Sequence, residues 1–147
     1  MLPVPTPGST RRRSGPGWPV VAGLVGLAVA VQFYGLYRPT GPPTPTWFPN
    51  ADTAEHALGF ALPVMLILLT SALRSRARGR DAGQMIMVVV VAVFAGQAVL
   101  SEVIQHLFYR LRSGDPLDIA ADAAGIALGV LGSRGAMIMI GRRGGRS

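Results

Sequence analysis

Cysteine and lysine are both absent from this chain of 147 residues. Without cysteine there is no disulfide framework, no thiol nucleophile and no thiolate metal site. Without lysine, all fourteen basic side chains are arginines. Asparagine and glutamine are scarce as well, while half of the residues are apolar. That balance does not suit a soluble globule, which needs polar side chains to cover its surface. Also missing are the H-E-x-x-H zinc signature, a nucleophile elbow, a P-loop and any redox motif. The sequence therefore assigns no cofactor and no metal.

What the chain does have is long apolar runs. A helix needs about 20 mostly apolar residues to cross the roughly 30 Å hydrocarbon layer. Four segments reach or approach this length, at about residues 18–37, 54–73, 85–108 and 116–140. The expected fold class is all-α, a polytopic membrane protein with four transmembrane helices forming one domain over residues 18–140. Residues 1–17, "MLPVPTPGSTRRRSGPG", read as a disordered basic lead-in, and residues 141–147 as a basic tail. "RRR" before an apolar run ending in "LAVA" also has the parts of a signal peptide. The apolar and aromatic run continues through "VQFYGLY", as a retained span would toward an interface.

A net charge of +7 first suggests nucleic acid. The position of the arginines argues against it. Ten of them fall in the N-terminal segment, the loop after the second span and the C-terminal tail, whereas Arg38, Arg110 and Arg112 lie on the other side. By the positive-inside rule both termini are expected in the cytoplasm, in a multi-pass protein of the inner (cytoplasmic) membrane. The acids follow the opposite partition. Asp52, Glu55, Glu102, Asp115, Asp118 and Asp122 gather at the outer ends of the spans, leaving Asp81 alone inside.

Their spacing places them on shared helix faces. Asp52 and His56 are four apart, as are Glu102 and His106 and also Asp118 and Asp122; Glu102 and Gln105 are three apart. A carboxylate inside the hydrocarbon layer costs on the order of 2.5–3.5 kcal/mol even on lenient scales, so these groups should face other helices. Asp115 is suited to cap the last helix and Pro116 to open it. Arg110 and Arg112 read as interfacial anchors or as counter-ions to the acids. The stripe through Gly125 and Gly129 is a small-xxx-small pattern for close helix packing. The predicted pocket thus comprises Asp52, His56, Glu102, Gln105, His106, Arg110, Arg112, Asp118 and Asp122. Pro63 is expected to kink the second span.

Taken in order, "DTAEHALGF" from Asp52 to Phe60, then Glu102-x-x-Gln105, then an arginine, Asp118, Asp122 and Gly125-x-x-x-Gly129 resemble the VanZ-like family of small bacterial membrane proteins. The resemblance spans roughly residues 45–131. Either Arg110 or Arg112 takes the family's arginine position. Thr53 stands where the family commonly has lysine, and Asp122 where it has asparagine. The resemblance implies a four-span cytoplasmic-membrane protein in a family whose founding member is associated with low-level resistance to teicoplanin. Three functions fit these residues. The first is a pocket at the outer leaflet that binds or modifies a lipid or lipid-linked cell-wall precursor, with glycopeptide resistance as one outcome. The second is a membrane-embedded acid/base enzyme acting on a lipid headgroup, and the third a structural scaffold. The expected partners are the lipid bilayer and such a precursor or glycopeptide; self-association into a homo-oligomer stays open.

Overall fold

The structure, a computed structural model, describes residues 17–40, 46–80, 83–109 and 116–144. Four helices account for most of them: α1 (Trp18–Tyr37), α2 (Ala51–Ala77), α3 (Gln84–Phe108) and α4 (Pro116–Gly144). All four are long and apolar enough to cross a membrane, so the protein is an all-α polytopic membrane protein. α2 and α4 outrun the apolar segments that betray them. A helix of 27 residues, as α2 is, extends about 40 Å, well beyond the hydrocarbon thickness. Its extra turns carry Asp52 at the start and Arg74 and Arg76 at the end, each sign matched to the helix dipole. Pro116 opens α4 as expected; Asp115, its expected cap, lies outside the described residues.

Side-chain contacts fix how the helices run. The Arg74 guanidinium sits 4.8 Å over the Trp18 ring, joining the end of α2 to the start of α1. At the opposite end Arg38 pairs with Glu55. Tyr109 donates to the Tyr37 carbonyl at 2.7 Å, so α1 and α3 finish together. Arg134 reaches Met87 from late in α4 to early in α3. Each helix therefore reverses the one before it. α2 and α4 are parallel neighbours and form the most extensive interface of the bundle.

That interface is a seam of glycines. A Cβ on Gly125 would collide with the carbonyl oxygen of Ala57, and one on Gly129 would lie 2.7 Å from that of Ala61. One on Gly132 would come within 2.9 Å of the Met65 sulfur. Hydrophobic burial gives no net drive to helix association in lipid, so contact depends on such close backbone approach. The apolar core is correspondingly small: Leu36, Phe60, Val64, Leu68, Phe94, Ala98 and Ile126, with Phe60 and Phe94 edge to face at 6.1 Å. Large apolar side chains such as Leu24, Leu62, Val93, Leu107 and Leu131 point outward instead. Pro63 is buried inside α2, which continues as one helix on both sides of it.

Candidate functional site

α2, α3 and α4 bring their polar residues to the same end of the bundle and to the same depth. His56 is five residues from the start of α2, Asp122 six from the start of α4, and Glu102 six from the end of α3. At 1.5 Å per residue each is about 8–9 Å inside its helix end. The close seam between α2 and α4 sets His56 against α4. Its Nδ1 lies 2.9 Å from Asp122 Oδ1 and its Nε2 lies 3.9 Å from Asp118 Oδ2. The imidazole is thus held between two carboxylates one turn apart on the same helix.

Glu102 closes the arrangement from α3. One donor atom from each of His56, Glu102 and Asp122 falls within 4.8 Å of the others, and the same holds for Asp52, His56 and Asp118. Glu102 and Asp122 hence bring carboxylate oxygens within 4.8 Å of one another beside the histidine. His56, Glu102, Asp118 and Asp122 are all buried. A nitrogen and several carboxylate oxygens at this spacing form a donor set that suits borderline or hard divalent cations. The same set suits proton transfer, because a buried imidazole flanked by acids has partners on both nitrogens.

The other residues of the predicted pocket are dispersed. Gln105 is buried, but its Nε2 donates to the Leu36 carbonyl at 2.9 Å, tying α3 to α1. His106 is exposed. With 100° per residue, the buried face of α3 spans from Ser101 to Glu102 through Ala98, and His106 falls about 40° beyond Glu102, outside that sector. Four-residue spacing therefore brings it near the Glu102 face without turning it inward. Arg110 and Arg112 lie outside the described residues. Gly125 and Gly129 are in the α2–α4 seam.

Two features escaped the sequence. The Arg38–Glu55 pair links the end of α1 to the start of α2, although Arg38 stands in a loop and Glu55 is half-buried. Gln32 is the second. α1 buries Ala28, Gln32 and Leu36, a single stripe at four-residue spacing, and its middle member is an amide. A lone glutamine inside an apolar span was the available signal.

Against models of known protein families, curated proteins and solved structures the chain shows no match. The class is therefore set by fold and site alone: a small polytopic membrane protein with a buried cluster of one histidine and several acids.

Proposed function

We propose that the cluster around His56 is a polar pocket, opening toward the outer leaflet, that binds or modifies the headgroup of a lipid or lipid-linked cell-envelope component. The observation that carries this is the convergence of Glu102, Asp118 and Asp122 on His56 inside the apolar zone. Helix packing alone is served by Ser or Asn at far lower cost than by ionisable groups at this depth. Carboxylates and imidazole suit the hydroxyl and amine groups of sugars and headgroups, and Arg110 or Arg112, the candidates the sequence offers, would answer a phosphate. The arginine partition supports an orientation with both termini in the cytoplasm, which puts the pocket at the external face of the cytoplasmic membrane. The VanZ-like order of motifs extends the proposal to glycopeptides of the teicoplanin type as the selective context.

A second reading is favoured by one contact pattern. His56 meets Asp122 through one nitrogen and faces Asp118 with the other, as an acid/base catalyst oriented by a carboxylate would. A membrane-embedded hydrolase or transferase is that alternative.

The test replaces Glu102 with Gln, nearly the same in size but unable to ionise. Lipids copurifying with wild type and variant are identified by mass spectrometry, and teicoplanin susceptibility is measured in cells expressing each. A binding pocket predicts that a specific lipid species is depleted from the variant while expression and helix content hold. Turnover of that lipid by wild type, lost in the variant, selects the enzyme. Identical lipid profiles and susceptibility would reduce the cluster to a packing device.

A further inference from the structure

We infer that the groove between α1 and α2 is a second, lateral site that takes one chain of a bilayer lipid and hydrogen-bonds a hydroxyl or amide carried near its interfacial end. The groove encloses about 420 Å³, within the roughly 300–1,000 Å³ typical of small-molecule sites. Its walls are mainly apolar, with Val31, Leu58 and Leu62 among them. That composition admits an acyl chain but selects nothing.

The selecting element is Gln32. It is 3 % exposed, lines the groove, and neither its amide nitrogen nor its amide oxygen has a hydrogen-bond partner among the described residues. Buried amides left unsatisfied are rare and costly, because no water in the hydrocarbon layer takes the place of a partner. Across the groove stand Gly59 and Pro63, both in its lining. Proline has no N–H, so Pro63 gives none to the Gly59 carbonyl four residues earlier. The site presents one donor, Gln32 Nε2, and one acceptor, Gln32 Oε1.

This pattern chooses among lipids. An ester carbonyl accepts only and would answer Nε2 alone. A hydroxyl or a secondary amide both donates and accepts, which answers both ends of the glutamine. The depth agrees: Gln32 is five residues from the end of α1, about 8 Å at 1.5 Å per residue, near where a lipid's backbone joins its chains. His56 also lines the groove, so a lipid seated there lies against the buried cluster, yet the recognition by Gln32 stands whatever that cluster does.

The full chain is reconstituted in phosphatidylcholine vesicles with a monoacylglycerol whose chain bears a diazirine, or with the same probe after both hydroxyls are methylated. After illumination, adducts are mapped by peptide mass spectrometry. The free-hydroxyl probe should label α1 and α2 about tenfold more than its methyl ether, the ratio expected for one or two net hydrogen bonds. Gln32→Leu, which places an apolar side chain in an apolar helix, should erase the preference between probes. Gly59→Leu should lower labelling by both, since only the Gln32 Cγ, at 3.9 Å, is near its new carbon and the rest of the side chain enters the groove. Asp122→Asn should leave the preference intact, so a failed cluster and a failed groove give different results. Equal labelling of wild type by the two probes overturns the inference. So does a preference that survives Gln32→Leu, or adducts that map away from α1 and α2.

Discussion

Gly125→Ala isolates what the α2–α4 seam contributes. At this position the new methyl group would run into the Ala57 carbonyl oxygen and come within 3.0 Å of the Phe60 Cβ. Both are anchored atoms that cannot swing aside, so the helices must separate. Gly135 lies on the same helix and has nothing within 4 Å of its virtual Cβ. Both substitutions gain the same helix propensity, about 1 kcal/mol. That gain cancels in the comparison and leaves the packing cost, about 1–3 kcal/mol for overpacking. Gly135→Ala should therefore stabilise, and Gly125→Ala should be less stable than it by that margin. Adding Gly129→Ala should cost less than its own single change, because one separation of the helices relieves both clashes. The assay is reversible unfolding of the detergent-solubilised chain by dodecyl sulfate, followed by circular dichroism. Equal stabilities for Gly125→Ala and Gly135→Ala would refute the close approach of the two backbones.

Other outcomes follow from single contacts. In a double-mutant cycle, His56→Ala and Asp122→Ala should couple by about 1–3 kcal/mol in the same unfolding assay; strict additivity would mean the two do not interact. Gln105→Leu should cost about 1 kcal/mol through loss of the bond to Leu36, and should leave lipid binding unchanged, because that side chain ties α3 to α1. Since the chain has no cysteine, Ser113→Cys and Ala77→Cys provide single labelling sites. An impermeant thiol reagent on whole cells should modify the first and spare the second, and the reverse pattern would put the cluster on the cytoplasmic face.

Much of this architecture is legible in the sequence, and the reasons are physical. The bilayer imposes a length on apolar runs, so α1 and α3 stood out as continuous stretches, while the wetted ends of α2 and α4 carry charges and blurred their limits. The acids were legible because an ionisable group at that depth must turn inward, which predicts that Asp122 and Glu102 share an interior. Spacing could not say which neighbour each would meet. Gln105 sits three residues from Glu102 yet bonds a carbonyl of α1, a partner 69 positions away that only packing supplies. His106, four residues from Glu102, is turned outward by the angle left over when four residues exceed one turn. Gln32 had no polar companion along its own helix, so its isolation in an apolar span was the one mark it left.

The glycine seam also divides the bundle mechanically. α2 and α4 form a keel: prising them apart disrupts their backbone contact and the His56 cluster in one stroke. α1 is fastened by less, a stripe of three buried residues and a few latches, such as Arg38 to Glu55 and Gln105 to Leu36 at one end and Arg74 over Trp18 at the other. A swing of α1 away from the keel would widen the groove that His56 lines and open it to the acyl chains.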